Sequence, residues 1–335
     1  MTHCGFTAVI GAPNAGKSTL VNALVGTKVA IVSPKVQTTR MNVRGIVMRG
    51  DAQIVFVDTP GIFRPRRRLD RAMVGAAWSG AGEADAILLL VDAADITANA
   101  SSPAARDTDA ILQGLKDGKR KKTAPERRAG EQGEPSPARP SNESGQSQRS
   151  KIALVLNKID GMKRTDLLPL VEKFRAEGLF EDIFLVSALK GDGLDALLDW
   201  VKARMPEGPW HYPEDEAADV PARLLASEVT REKIYLRLHD ELPYATTVET
   251  EKWEERRDGS VKIDQTIYVQ RDGQKAIVLG KGGATIKKIG ELARTELEEM
   301  FGRKVHLFLF VKVREDWDQQ REHYKEMGLE FPPDE

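Results

Sequence analysis

Eight residues near the start of the chain have the types and the spacing that bind phosphate. They form a G-x-x-x-x-G-K-S loop between an apolar segment and a helical pattern, Gly11-Ala12-Pro13-Asn14-Ala15-Gly16-Lys17-Ser18. Glycines let consecutive main-chain N–H groups point at a β-phosphate, and the N-terminus of the following helix adds its dipole. We expect Lys17 to bridge the β- and γ-phosphates and the Ser18 hydroxyl to bind Mg²⁺, with Thr19 in the same site.

Two further segments carry groups that complete such a metal site. Asp58-Thr59-Pro60-Gly61 ends a later strand pattern. We expect Asp58 to hold a Mg²⁺-bound water and the Gly61 N–H to sense the γ-phosphate. Gln37-Thr38-Thr39-Arg40 has little helical or strand pattern, and Thr39 is expected to complete the Mg²⁺ coordination only when a γ-phosphate is present. The predicted metal ligands are therefore Ser18, Thr39 and Asp58, and Thr59 and Pro60 are placed in the same nucleotide site.

A third motif, Asn157-Lys158-Ile159-Asp160, indicates which base the nucleotide carries. A carboxylate such as that of Asp160 accepts from guanine N1–H and N2–H₂ together, whereas adenine offers no such pair. An acceptor left unpaired rejects the wrong base by roughly 10⁴-fold. We expect Asn157 to tie this loop to the phosphate loop, Lys158 to lie over the base, and Ser187-Ala188-Leu189 to offer the Ala188 N–H to guanine O6. The predicted cofactors are GTP and GDP with Mg²⁺.

The residue after Gly61 is Ile62, which cannot orient an attacking water as a glutamine does in Ras-like switches. Intrinsic hydrolysis is therefore expected to be slow or to use another device. Our hypothesis is that Asn14 helps to hold K⁺ near the β- and γ-phosphates, where its charge acts as an arginine finger does. The predicted catalytic residues are Lys17, Asn14, Thr39 and Gly61.

A second glycine loop, Gly280-Lys281-Gly282-Gly283, lies between two helical patterns. A G-x-x-G loop lets a nucleic-acid backbone approach closely, and the following helix N-terminus favours phosphate. Lys281, Lys287 and Lys288 add positive charge. We expect these residues to bind single-stranded RNA, and the alternative interpretation is a plain helix–helix corner.

The elements that must position these residues alternate between strands and helices. Strand patterns occupy 6–10, 52–57, 86–91, 152–157 and 183–186, and helical patterns between them include 165–177 and 194–204. This alternation predicts a mostly parallel sheet with helices on both faces and ligands at the carboxyl ends of its strands. A second module follows, with a helix over 221–241, strands over 246–254 and 261–269, paired helices around 280–283, a strand over 305–313 and a helix near 316–326.

Composition limits the class of protein. The 335 residues carry a net charge of -1 and 41% apolar residues, so two packed domains are expected, and nucleic-acid or membrane binding must rest on local patches. The single cysteine, Cys4, excludes an intrachain disulfide and is typical of a reducing compartment. No secretory signal or membrane-length apolar run is visible, so we expect a cytoplasmic protein.

Domain boundaries follow from local composition. We assign 1–208 to the nucleotide domain, 209–218 to a linker rich in Pro, Glu and aromatic residues, and 219–335 to the second domain and a C-terminal tail. Residues 123–150 are crowded with Pro, Gly, Ser, Gln and Arg and are predicted to form a disordered insertion that begins with the basic run 119–122. A solvated loop is favoured there over an RNA-contacting arm.

Taken together, these motifs resemble the Era family of bacterial ribosome-associated GTPases. The resemblance rests on the nucleotide motifs at 11–18, 37–40, 58–61, 157–160 and 187–188, and on Glu241-Leu242-Pro243-Tyr244, 280–283 and 305–313, which match the family's KH domain. It implies an α/β P-loop GTPase domain, mostly parallel with helices on both faces, followed by an α+β type II KH domain. The insertion at 123–150 departs from the family pattern.

The resemblance also implies a function. The expected protein is a GTP-hydrolysing switch that binds the 3′ end of small-subunit ribosomal RNA when GTP-loaded, leaves after hydrolysis, and assists 30S subunit assembly. Peripheral inner-membrane association is implied as well, although no anchor is visible, and we expect a monomer. The alternative is an RNA-binding chaperone whose nucleotide is a fixed structural ligand. A membrane or division GTPase is disfavoured because the segment 316–326 is too charged.

Overall fold

The computed structural model describes residues 1–35, 38–123, 151–238 and 242–333. Gln37, Glu241 and residues 124–150 of the predicted insertion therefore lie outside the described residues. Two sheets organise the chain, one of seven strands and one of three. The predicted sites are distributed over both.

The first sheet has the strand order β6-β5-β4-β1-β3-β2-β7. Strands β1, β3, β4, β5 and β6 are parallel, whereas β2 runs antiparallel to β3 and β7 runs antiparallel to β2. The strands are β1 (His3–Gly11), β2 (Val43–Arg49), β3 (Ala52–Asp58), β4 (Ala86–Asp92), β5 (Lys151–Asn157), β6 (Asp182–Leu185) and β7 (Ala218–Asp219).

Six helices cover the two faces of this sheet. They are α1 (Lys17–Val25), α2 (Arg68–Glu83), α3 (Ala93–Ala98), α4 (Pro103–Thr123), α5 (Arg164–Ala176) and α6 (Leu194–Lys202). Alternate strand residues point to opposite faces, so Leu89 and Val91 pack with α2 to α5 in one core while Leu88 and Leu90 pack with α1 and α6 in the other. This arrangement leaves the carboxyl ends of the parallel strands at one edge.

The second sheet has the order β10-β9-β8, with β10 parallel and β8 antiparallel to β9. Its elements are α7 (Ala222–Arg237), β8 (Thr246–Glu255), β9 (Val261–Val269), α8 (Asp272–Leu279), α9 (Ala284–Phe301) and β10 (Val305–Val313). Residues of α7, α8 and α9 pack on the sheet, among them Ile234, Val278 and Ile289. The helix–strand–strand–helix–helix–strand order is the one that the sequence predicts.

Three local expectations differ from the structure. The basic run 119–122 lies within α4 instead of opening the insertion, because the helical pattern that buries Ile111 and Leu115 continues into residues with good helix propensity. The expected helix over 316–326 is a 3-10 turn (Trp317–Gln319) followed by α10 (Arg321–Glu326). The last residue of the predicted linker, Ala218, pairs with β2 of the first sheet.

The C-terminal segment packs against the first domain. Trp317, Tyr324 and Leu329 share a core with Leu69 and Met73 of α2. The Trp317 indole also donates to the Ala245 carbonyl oxygen over 3.1 Å. This segment therefore contacts both domains. Among the described residues, no helix combines the length and apolar character needed to cross a membrane.

Candidate functional site

The phosphate loop joins β1 to α1 and takes a conformation that its glycines allow. Gly16 has φ 97°, and a Cβ there would lie 2.4 Å from Asn157 Nδ2, so only glycine fits between the two loops. Asn14 has φ 62°, which asparagine tolerates better than most residues. The Lys17 ammonium is buried and donates to the carbonyl oxygens of Gly11 (3.2 Å) and Ala12 (3.0 Å).

The three predicted metal ligands converge beside this loop. Ser18 Oγ lies 2.9 Å from Thr39 Oγ1 and donates to Asp58 Oδ2 over 2.7 Å, and Thr39 Oγ1 lies 3.4 Å from the same carboxylate oxygen. Asp58 Oδ1 is buried and has no hydrogen-bond partner among the described residues. Two hydroxyl oxygens and a carboxylate with one unsatisfied oxygen are the hard donors that Mg²⁺ prefers. Mg²⁺ usually binds through few protein groups and keeps its other coordination positions for phosphate and water.

Burial alters the acid–base properties of both charged residues here. Burial raises the pKa of the Asp58 carboxyl to about 6, and its hydrogen bond from Ser18 and the charge of Lys17 only partly oppose this. Burial lowers the pKa of the Lys17 ammonium to about 8, with partial compensation from Asp58. Each charged form therefore gains from a ligand of opposite charge, which is a property of a binding site.

The base-recognition loop is tied to the phosphate loop as predicted for its sequence. Asn157 Nδ2 donates to the Ala15 carbonyl oxygen (2.9 Å), and Asn157 Oδ1 accepts from the Ala188 N–H (3.0 Å). Lys158 Nζ donates to the Asn14 carbonyl oxygen (2.8 Å) and pairs with Asp92 (2.6 Å). The side chain of Asn157 thus holds three loops in register.

Asp160 lies exposed on the turn after Lys158. Its Oδ1 accepts from Ser187 Oγ over 2.8 Å, and this hydrogen bond lowers the pKa of the Asp160 carboxyl below its usual value. The group is therefore held in the ionised, acceptor-only form that reading guanine N–H groups requires. The side chain of Leu189, by contrast, is 79% exposed.

A cavity of about 500 Å³ lies over the phosphate loop, and Asp58 and Asp160 are not among the residues that line it. Of the predicted residues it is lined by Pro13, Asn14, Gly16, Lys17, Ser18, Thr19, Thr39, Gly61 and Lys158. Asp92, Asp95, Ser33 and Pro34 also line it, and the sequence interpretation missed them. Asp92 ends β4, so the rule that ligands lie at strand carboxyl ends could have identified it.

Two residues of the Asp58–Gly61 motif have structural roles. The Thr59 hydroxyl is buried and donates to the Val9 carbonyl oxygen over 2.8 Å, which ties the end of β3 to β1. Pro60 is buried. Their side chains therefore position Asp58 and Gly61 and do not line the cavity over the phosphate loop. Ile62 is buried in the core under α2, so its side chain cannot orient a water at the cavity.

Thr38 and Arg40 of the predicted segment 37–40, and Val32 just before it, contact the second domain. Arg231 donates to the Thr38 carbonyl oxygen, and Glu232 accepts from the Val32 N–H over 2.8 Å. Arg40, only 3% exposed, donates to the Thr246 carbonyl oxygen (2.9 Å) and to the Tyr235 hydroxyl (3.1 Å). The sequence interpretation missed these contacts, because no local sequence pattern indicates a contact between residues about 200 positions apart.

The G-x-x-G loop lies between α8 and α9. Gly280, Gly282 and Gly283 all have positive φ, and a Cβ on Gly282 or Gly283 would meet no atom within 4 Å. The loop surface is thus open to close approach. Lys281 and Lys287 are exposed, whereas the Lys288 ammonium pairs with Glu291 over 2.9 Å.

Comparison with known proteins gives the same two modules. Residues 6–123 match the family described as 50S ribosome-binding GTPase, and residues 241–318 match the family described as KH domain. The GTPase Era of Mesorhizobium japonicum is 54% identical over 331 residues, covering 99% of this chain and 95% of the relative. The GTPase Era of Caulobacter vibrioides is 52% identical over 337 residues, covering 98% and 97%.

A solved structure extends this likeness to the whole fold. The crystal structure of Era in complex with MgGDPNP and nucleotides 1506–1542 of 16S ribosomal RNA matches with a TM-score of 0.82 at 35% identity, covering 98% of this chain and 99% of that one. The predicted P-loop GTPase and KH fold is confirmed, while the individual site residues and domain boundaries stay predictions. The chain belongs to the Era family of GTPases.

Proposed function

We propose that this chain binds GTP with Mg²⁺ beside the phosphate loop, hydrolyses GTP to GDP and phosphate, and binds the 3′ end of small-subunit ribosomal RNA through its KH domain. In this role it assists 30S subunit assembly. Support comes from the related Era that was crystallised with MgGDPNP and nucleotides 1506–1542 of 16S ribosomal RNA. Lys17 would hold phosphate, Ser18, Thr39 and Asp58 would hold Mg²⁺, and Asp160 would read guanine.

The position of Thr39 carries the proposal. Its hydroxyl lies 2.9 Å from Ser18 Oγ in the expected metal site, while the residues on either side of it, Thr38 and Arg40, bond to the second domain. When bound, Mg²⁺ would neutralise charge on the phosphates. A residue that senses the nucleotide is thus flanked by residues that hold the KH domain, which is the connection that a switch requires.

The rival function is an RNA chaperone with a fixed nucleotide. Purified protein, given excess GTP, should release phosphate over many turnovers, whereas a structural nucleotide gives at most one equivalent. RNA crosslinking with GTP-loaded and GDP-loaded protein, followed by identification of the RNA, tests the partner. Recovery of the small-subunit 3′ end in the GTP state is expected, and equal crosslinking in both states would contradict the switch.

A K⁺ ion is the device that we propose in place of a water-orienting glutamine. Asn14 lines the cavity and donates from Nδ2 to the Pro34 carbonyl oxygen over 3.1 Å, so it links the phosphate loop to the residues that precede 37–40. An amide and main-chain oxygens at this point would suit a monovalent cation beside the phosphates.

We further propose a monomeric, cytoplasmic protein with peripheral association at the inner membrane. The monomer is favoured because the two domains of one chain contact each other directly at Arg40 and Arg231. Flotation of the purified protein with anionic vesicles tests the membrane part, and an absence of co-flotation in both nucleotide states would contradict it.

A further inference from the structure

A second cavity, of about 620 Å³, lies between the two domains beside the nucleotide cavity. Arg64, Arg66 and Arg67 line it from the segment after Gly61, Arg106 from the first turns of α4, and Tyr244 from the 3-10 turn between α7 and β8. We call it the arginine pocket. Pro13 of the phosphate loop lines both cavities.

The charge in this pocket is largely uncompensated. Arg64, Arg66 and Arg106 are exposed, and none of their guanidinium groups lies within ion-pair distance of a carboxylate among the described residues, although the charge of Arg106 acts on Asp107. Only two carboxylates line the pocket. Asp70 is buried and accepts from the main-chain N–H groups of Arg66 and Arg67 (3.0 and 2.9 Å).

The second carboxylate, Asp107, is also engaged with the main chain. It accepts from the Arg64 N–H, and burial raises the pKa of its carboxyl. Both aspartates therefore hydrogen-bond to the backbone that carries the arginines, and the charge of Arg106 also acts on Asp107. The three exposed arginines Arg64, Arg66 and Arg106, in a chain of net charge -1, make a local site for anions.

We infer that the arginine pocket binds backbone phosphates of the RNA whose single-stranded part occupies the KH groove, an inference that rests on the proposed function. Guanidinium groups bind phosphate oxygens with paired hydrogen bonds, and an adjacent aromatic ring offers a stacking surface for a base. Tyr244 supplies that ring, partly exposed and packed edge-on against Tyr235.

The location favours RNA over a small anion. Tyr244 lies two residues before Thr246, the first residue of β8. Thr246 pairs with Val269 near the start of α8, and α8 leads directly to the G-x-x-G loop. A KH groove holds about four nucleotides, so a longer RNA that leaves the groove along this side meets the arginine pocket. Three of its arginines follow Gly61 by three to six positions, which places RNA phosphate next to the nucleotide-sensing segment.

Salt-dependent RNA binding tests this inference. Two probes are needed, a single-stranded RNA of about four nucleotides that fills only the KH groove and a small-subunit ribosomal RNA 3′ fragment of about ten times that length. The variant R64A/R66A/R106A should bind the short RNA as the wild type does. For the long RNA its slope of log K against log salt should fall by about 2, because each phosphate contact contributes about 0.7. Affinity at 0.1 M salt should fall by about 100-fold.

Two control variants separate charge from structure. R64K/R66K/R106K keeps the charges and should retain most of the slope. K163A/R164A/R175A removes three exposed positive charges from the region of α5 and should leave the slope within about 0.5 of the wild type. GTP affinity of every variant shows that the neighbouring nucleotide site is intact.

Several outcomes would overturn the inference. If the salt slope of R64A/R66A/R106A is unchanged, or falls only as much as that of K163A/R164A/R175A, the pocket does not bind RNA. The proposed function would still stand in that case. Titration of tripolyphosphate into GDP-loaded protein tests a free anion, and saturable binding that the triple alanine variant abolishes, without a change in RNA slope, assigns the pocket to that anion instead. If the wild-type protein binds neither the short nor the long RNA, the proposed function itself is contradicted.

Discussion

The guanidinium of Arg40 donates to the main-chain carbonyl oxygen of Thr246 over 2.9 Å, although the two residues lie 206 positions apart. The same guanidinium lies over the Trp317 ring at 5.5 Å. Arg40 follows Thr39, so one residue beyond the expected metal site the chain is anchored to the KH domain and to the C-terminal segment. A movement of Thr39 must therefore either carry these partners with it or break their hydrogen bonds.

The Arg40→Ala variant should lose the link between nucleotide and RNA. Coupling between two sites is commonly 5- to 150-fold in affinity. In the wild type, RNA affinity with a GTP analogue should exceed RNA affinity with GDP by about 5- to 150-fold. In the variant this ratio should fall to about one, while GTP affinity itself changes little. Fluorescence anisotropy of labelled RNA measures the ratio. Arg49→Ala, which removes an exposed pairing with Asp199, is the matched control and should keep it.

Binding of Mg²⁺–GTP should weaken as the pH falls through about 6. The pKa of Asp58 is about 6, so below that value the carboxyl is protonated and cannot bind a cation. Affinity should decrease by up to tenfold for each pH unit below this point. The terminal phosphate of GTP titrates in the same range. Asp58→Asn is therefore the control, because it has no carboxyl at this position and its pH dependence comes from the phosphate of GTP. Identical pH profiles for the two proteins would contradict the assignment.

Much of the nucleotide site is visible in the sequence because the motifs at 11–18, 58–61 and 157–160 each follow an apolar strand. β10 has the predicted bounds, and β3, β4 and β5 differ from theirs by only a residue at one end. β2 is different: Arg44 and Gly45 interrupt its pattern, and only pairing with β3 and β7 makes it a strand. The contacts of Arg40 and Arg231 were not predictable, because a buried arginine has no local signature.

The Asp160→Ala variant should lose its preference for the guanine amino group. Inosine triphosphate lacks only that N2 amine, so comparing its affinity with that of GTP isolates one charge-assisted hydrogen bond. Such a bond contributes about 1.5–3 kcal/mol, or about 10- to 150-fold. The wild type should show this preference and the variant should bind both nucleotides equally. Ser187→Ala, which removes the hydroxyl 2.8 Å from Asp160 Oδ1, should give an intermediate preference.

Turnover should be faster in K⁺ than in Na⁺, and Asn14→Ala should abolish the difference. The reason is that Ile62 is buried and cannot orient the attacking water, so hydrolysis needs another device, and a K⁺ charge beside the phosphates would stabilise the transition state. Single-turnover phosphate release in each salt, at equal ionic strength, measures the effect. Equal rates in both salts for the wild type, or a K⁺ effect that survives in Asn14→Ala, would rule out the ion.

The Gly283→Asp variant should lose RNA binding while keeping GTP affinity. A side chain at Gly283 meets no atom within 4 Å, so the loop can accommodate it, but its carboxylate would stand where the RNA backbone approaches. The backbone strain at φ 78° costs about 1–2 kcal/mol. Gly302→Asp, with φ 61° and similarly open surroundings at the end of α9, carries a comparable strain and charge in the same domain. If both variants lose RNA equally, the loss comes from the folding of the KH domain; if only Gly283→Asp loses it, the glycine loop is the RNA contact.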